Sequence, residues 1–162
     1  VSSCALFEGG LSAELSDEVL KLLEDEEFLK HPGSWTLARL IFDAWDDFPN
    51  DAQPGLLDGL QRSFDRFSTY LGPFVAAEIL AKRLELSRVL PVFRALFAST
   101  RPPARTLVPH GLRELTLRTN DPELREQVVS FLNELLNDRD ANVRDEALNV
   151  LKKLHASIPA QS

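Results

Sequence analysis

Residues 121–135 read DPELREQVVSFLNEL and residues 140–154 read DANVRDEALNVLKKL. At an offset of 19 positions the two segments align Asp121 with Asp140, Pro122 with Ala141, Leu124 with Val143, Arg125 with Arg144, Val128 with Ala147, Phe131 with Val150, Leu132 with Leu151 and Leu135 with Leu154. Apolar residues spaced three, four and seven apart share one stripe of a helix with 3.6 residues per turn, so each segment reads as an amphipathic helix. A helix with one apolar stripe needs a neighbour to cover it. Similar helices in tandem meet that need by stacking side by side into a superhelix.

Working back from this pair, Ala104, Arg105, Val108, Gly111, Leu112 and Leu115 lie 20 positions before Leu124, Arg125, Val128, Phe131, Leu132 and Leu135. Pro102 and Pro103 open this earlier helix, and Pro109 is expected to kink it by removing a backbone hydrogen bond. Before it, Ser87 starts a helix in which Leu90, Phe93, Leu96 and Phe97 face inward, with Pro91 tolerated near the first turn. Gly72 and Pro73 precede a nearly all-apolar helix, Phe74 to Leu84, expected to be the most buried element. Asn50 or Asp51 starts a helix with the stripe Leu56, Leu57, Leu60, Phe64 and Phe67. Ser34 caps a helix from Trp35 to Phe48, with Ala38, Ile41, Trp45 and Phe48 as its core face. Ser16, followed by Asp17 and Glu18, caps a first helix running to about Glu24. No run of β-branched residues alternates with polar ones, so no strand is expected. The chain therefore reads as all-α, with about eight antiparallel helices in an α-α superhelix. Residues 1–162 are read as a single domain, with mobile tails at 1–10 and 158–162.

The 162 residues suffice for one buried core, and no apolar run approaches the roughly 20 residues of a membrane helix. The start lacks the pattern of a secretory signal, which makes the cytoplasm the expected compartment. Val1, in a chain without methionine, is expected to be a literally translated alternative start codon of a bacterial gene. The single cysteine, Cys4, excludes an internal disulfide and reads as a thiol without a role.

Charge is unevenly spread. Up to Arg66 there are fourteen acidic and five basic side chains, a balance of −9; from Phe67 onward there are eleven acidic and thirteen basic, a balance of +2. An acidic half repels nucleic acid and anionic lipid and speeds encounter with basic proteins. The implied partner is one basic protein, with no nucleic acid and no membrane, and the oligomeric state stays open.

Three histidines, His31, His110 and His155, are present, and none is read as standing with a second histidine or an acid at metal-ligand spacing on one helix. Neither a glycine-rich phosphate loop nor a GxSxG turn occurs. No cofactor, metal or catalytic residue is assigned. Glu78 is conspicuous as the one charged residue between Leu71 and Ala81. Facing the core it would need a partner or a raised pKa; facing outward it would pair with Lys82 one turn on. Asp43, Asp46 and Asp47, with Asp43 and Asp47 one helical turn apart, form an acidic face. Glu24, Glu26, Glu27 and Asp51 are close in sequence. These seven carboxylates and Glu78 are the candidate protein-binding residues.

Asp140, Val143, Arg144, Ala147, Leu148 and Leu151 resemble the second helix of a HEAT-like repeat, and the helices at Pro102 and Pro122 resemble looser versions. The clear match covers the last third of the chain. The resemblance implies that Asp121, Asp140, Arg125 and Arg144 cap and cross-link neighbouring helices. In segment order, Trp35–Asp47, then Phe74–Leu84 with Glu78, then Ala104–Leu115 with His110 and Gly111, then two regular repeats, the chain is also similar to small all-helical bacterial immunity proteins. That similarity implies a non-enzymatic inhibitor sealing a toxin domain through an acidic helical surface. A general HEAT-like adaptor or scaffold is the alternative. A HEAT-like DNA glycosylase is a remote one, since it needs a basic groove for which only Arg101, Arg105, Arg113 and Arg118 are available.

Overall fold

A computed structural model describes residues 13–67, 71–98 and 105–157. The described residues are predominantly helical, with no strand among them. Contacts divide the chain into two compact units, Val1–Val75 and Ala76–Ser162. The two tails, Arg101, the helix opening at Pro102 and Pro103, and Ala104 lie outside the described residues.

In the first unit, α1 (Ala13–Glu24) packs chiefly against α4 (Gln53–Ser63). Val19 and Leu23 on one, and Leu56 and Leu60 on the other, are buried. Ser16 lies inside α1 and is buried, so it does not cap the helix as expected. Asp25 caps instead: its Oδ1 accepts from the backbone N–H of Glu27 and Phe28 and starts α2 (Glu26–Lys30) among the acidic residues Glu24, Glu26 and Glu27. Helix α3 (Gly33–Asp43) begins earlier than Trp35, and Ser34 is a buried first-turn residue whose hydroxyl donates to the His31 carbonyl.

The helix expected to reach Phe48 stops at Asp43 and is followed by a 3-10 turn, Trp45–Asp47. Phe48 precedes a proline, whose ring disfavours α geometry at that position, and its backbone is extended at φ −70° and ψ 142°. The Gln53 amide closes the break by donating to the carbonyls of Trp45 and Phe48 at 3.3 and 3.2 Å. Ala38, Ile41, Trp45 and Phe48 all remain buried despite the break. A second 3-10 turn, Phe64–Arg66, packs on α5 (Leu71–Phe74). A Cβ on Gly72 would lie 2.5 Å from the Phe64 carbonyl oxygen, so this approach requires glycine.

A π-helical segment, Val75–Leu80, follows, and all of it after Val75 belongs to the second unit, where it continues into α6 (Ala81–Arg83). Val75, Ala76, Ala77, Ile79, Leu80 and Ala81 are at most 1% exposed, as the apolar run requires. In α7 (Leu86–Phe97), Val89, Val92, Phe93 and Leu96 form the buried face, shifted from the expected set because Leu90 and Phe97 are only half-buried. Helix α8 (Val108–Arg118) starts after a turn at 106 and 107, which places Pro109 in its first turn, where its missing N–H has no helical partner to lose. It therefore does not interrupt the helix. Phe93 is fully buried against α8, and a Cβ on Gly111 would stand 2.1 Å from its ring.

Helices α9 (Pro122–Leu135) and α10 (Ala141–Ser157) carry the tandem repeat, and α8, α9 and α10 each pack against both others. The apolar stripe of both copies, Leu124 through Leu135 and Val143 through Leu154, is buried. The turn before each helix repeats as well. Thr119 Oγ1 accepts from Asp121 N and Asp121 Oδ1 from Glu123 N, both at 3.0 Å. In the second copy Asp138 Oδ1 accepts from Asp140 N and Asp140 Oδ1 from Asn142 N, both at 2.9 Å. Arg144 Nη1 donates to the carbonyls of Asp138 and Arg139. Leu148 points outward at 43% exposure, unlike the other apolar residues of its motif.

The turn before α10 is also tied back to Arg105. The guanidinium donates through Nε to Asp138 Oδ2 at 2.8 Å and through Nη2 to Oδ1 at 3.1 Å, with both side chains at most 7% exposed. Burial pushes the Asp138 carboxyl up, but the bonds from Arg105 and from Asp140 N–H outweigh it and hold its pKa below the ordinary 3.8.

This packing makes several outcomes measurable by urea unfolding. Gly111→Ala should destabilise the fold by about 1–3 kcal/mol through overpacking against Phe93. Gly55→Ala, whose Cβ would meet only Leu20 at 4.0 Å, should be neutral or stabilising. Arg105→Ala strands a buried carboxylate and should cost about 3–5 kcal/mol. Since the folded pKa of Asp138 is depressed, its stabilising share is complete above pH 3.8 and is lost as the pH falls through the lower folded value; in Arg105→Ala that acid dependence should shrink.

Candidate functional site

Helix α3 presents two apolar faces. Leu37, Ala38 and Ile41 form the buried one. On another side, Trp35, Thr36, Arg39, Leu40 and Phe74 of α5 line an open notch of about 490 Å³. Trp35 is 44% and Leu40 38% exposed, two of the four exposed large apolar side chains among the described residues. The aromatic wall is interlocked: Phe74 lies between Trp35, at 6.2 Å between ring centroids, and Phe42, at 5.6 Å edge-on. Arg39 reaches over the Phe42 ring at 5.5 Å and pairs with Asp43 through Nε at 3.1 Å.

The seven candidate carboxylates of this unit, Glu24, Glu26, Glu27, Asp43, Asp46, Asp47 and Asp51, are all exposed. They do not form one run along a single helix. Glu24, Glu26 and Glu27 surround the α1–α2 junction, where Glu26 faces Arg66 at 3.6 Å. Asp43, Asp46 and Asp47 follow the notch at the end of α3. Because α3 ends at Asp43, Asp43 and Asp47 are not one α-helical turn apart as expected, and Asp43 has Arg39 as its neighbour in charge.

Glu78 belongs to the second unit and has a separate setting. It is half-buried, with Oε2 accepting from Lys82 Nζ at 2.8 Å, the pair the spacing offers, and Oε1 accepting from His110 Nε2 at 2.7 Å. Burial raises the Glu78 pKa, but Lys82 and His110 together pull it below its ordinary value. The expectation that His110 has no acidic neighbour on its own helix fails, because Glu114 lies one turn along α8 at 4.0 Å. With Thr106, Leu107, Asn142 and Glu146, Glu78 and His110 line a cleft of about 440 Å³. Both Glu78 oxygens are engaged, so the cluster braces the π-helical segment against α8. Among the described residues no group of three His, Cys, Asp or Glu side chains is arranged to hold a metal.

A third groove, of about 800 Å³, runs between α7 and α9 and is lined by Leu90, Pro91, Glu123, Glu126 and Phe131, with Arg94 stacked 3.8 Å over the Phe131 ring and paired with Glu134. Of the four arginines considered for a basic stripe, Arg105 is consumed by Asp138, and Arg118 donates to the carbonyls of Ala81 and Leu84 at the end of α6. Among the described residues no helix is long and apolar enough to cross a membrane.

The notch residues Trp35, Leu40 and Phe74 are absent from the candidates that sequence reasoning supplies. The available signal was a tryptophan lying off the Ala38–Ile41–Trp45 stripe, an apolar residue with no assigned cover.

The Glu78 cluster yields a pH prediction. The carboxyl of Glu78 should titrate below 4.5 by NMR, and Lys82→Met or His110→Ala should each raise its midpoint, because each removes a bond to the charged form. An unchanged midpoint in both variants would show that neither bond forms.

Comparisons with protein-family models, curated proteins and solved structures return no match, so the functional reading rests on the geometry described above.

Proposed function

We propose that this chain is a non-enzymatic protein-binding module whose first unit seats one basic protein, in its most concrete form an immunity protein that blocks a cognate bacterial toxin domain. The observation that carries the reading is the coincidence, on a unit with a balance of −9, of exposed carboxylates with an exposed aromatic notch. Interfaces draw their binding energy from a few buried aromatic anchors, and their rate and partner choice from charge around them. Both parts are here. No charged residue lies between Phe67 and Val75, so the whole surplus of negative charge falls within the first unit and the second carries +2.

The second unit fits the role of a scaffold. Mutual packing of α8, α9 and α10, and the turn that recurs before α9 and α10, support a HEAT-like stacking of tandem helices. The engagement of Arg105 and Arg118 within the fold weakens the glycosylase alternative, since two of the four cations considered for a phosphate groove are already committed.

The test is capture of partners by tagged protein in its native cells, followed by kinetics with the purified partner. One stoichiometric basic domain, from whose toxicity the chain protects cells, is expected. Charge reversal at Asp43, Asp46 and Asp47 to Lys should weaken binding by about tenfold or more, mostly through a slower association rate that falls less steeply with added salt. Unchanged affinity would remove the proposed surface, and several unrelated partners would favour a general adaptor.

A further inference from the structure

We infer that the notch of Trp35, Leu40 and Phe74 seats an amphipathic helix of the partner, apolar on the face that enters the notch and bearing Lys or Arg on its flanks. The inference rests on the protein-binding reading and names the segment that reading requires.

The notch runs along one side of α3. Trp35, Arg39 and Asp43 lie at i, i+4 and i+8 of α3, with Thr36 and Leu40 in the adjoining row, so together they form a continuous ridge along the helix. The lining positions of α3, Trp35 to Leu40, span roughly 7.5 Å at 1.5 Å per residue, between one and two turns of a helix laid alongside. An apolar patch of that length matches two anchors, at i and i+3 or i+4, of an incoming helix.

Its wall is preorganised. Phe74 holds Trp35 on one side and Phe42 on the other, and Arg39 covers the Phe42 ring, so the wall stands formed before any partner arrives. A large aromatic side chain that is already fixed loses little freedom on binding.

Charge decides the partner's chemistry. Arg39, the one cation lining the notch among the described residues, is neutralised by Asp43. Asp46 and Asp47 follow shortly after Asp43 in the chain, and the unit as a whole carries −9. An apolar helix flanked by acids would meet this field unfavourably, and one flanked by Lys or Arg would be drawn in.

The experiment uses the full chain with Trp45→Phe, which leaves Trp35 as the reporter in a protein with two tryptophans. Three synthetic helical peptides of equal length are titrated: one with Leu on one face and Lys elsewhere, one with Leu and Glu, and one with Ala and Lys. The Leu/Lys peptide is expected to blue-shift Trp35 emission saturably, at least tenfold more tightly than either other peptide. Leu40→Asp, at an exposed position that leaves far-ultraviolet circular dichroism unchanged, should weaken it at least tenfold. Equal binding of the Leu/Glu peptide would overturn the assigned charge. Equal binding of the Ala/Lys peptide, insensitive to Leu40→Asp, would overturn the notch while leaving the acidic-surface reading intact. A dimer in sedimentation that Leu40→Asp dissociates would assign the notch to a second copy and overturn the inference. Binding of the captured basic partner that Leu40→Asp leaves unchanged would overturn it as well, whereas loss of binding by the Asp-to-Lys reversal alone would still uphold the broader reading.

Discussion

The bidentate bond between Arg105 and Asp138 is the constraint on which the second unit depends. It joins the chain just before α8 to the turn just before α10, in a place where neither group is exposed to water by more than a few per cent. A buried carboxylate is tolerable only if its lone pairs are satisfied, and Asp138 satisfies them twice over, with Arg105 and with the Asp140 N–H. The same carboxylate therefore sets both the helix start and the stacking of the helices. Its counterpart in the first copy of the repeat is Thr119, whose hydroxyl accepts the equivalent turn bond from Asp121 N–H. A threonine cannot hold a guanidinium in a two-point bond as a carboxylate does, so the copies agree in local geometry and differ in long-range attachment.

Much of this fold is legible in the sequence because helix periodicity is a local property. The stripes Leu124–Leu135 and Val143–Leu154, and the apolar residues from Val75 to Ala81, are buried where spacing places them. The failures are places where one residue serves a different neighbour from the one expected. Ser16 and Ser34 have the chemistry of caps but occupy buried helical positions, while Asp25, between the candidate carboxylates Glu24 and Glu26, caps α2. Pro109 reads as a kink only if the helix begins before it, and the turn at 106 and 107 moves the start. The Arg105–Asp138 bond links segments far apart in the chain, and no local pattern announces such a pairing.

The candidate site is legible in its charge and not in its apolar part. Counting acids locates the exposed carboxylates, since a surface acid is exposed almost by default. Trp35 and Leu40 need three dimensions, because an apolar residue off the main stripe can be covered by any later segment, and Phe74 supplies only one wall. Glu78 illustrates the converse. Its pair with Lys82 follows from spacing on one stretch of helix, but its bond to His110 comes from α8 and turns a surface oddity into a brace.

Under the proposed function, contact with the partner is confined to the acidic first unit and spares the second, and this is the central claim. Hydrogen exchange by mass spectrometry on the chain, free and bound to its captured partner, tests this most directly. Added protection should appear in α3 and the following turn, Gly33 to Asp47, and be absent from α8, α9 and α10. Protection centred on the Glu78–His110 cleft or on the α7–α9 groove, with Gly33 to Asp47 unchanged, would contradict it.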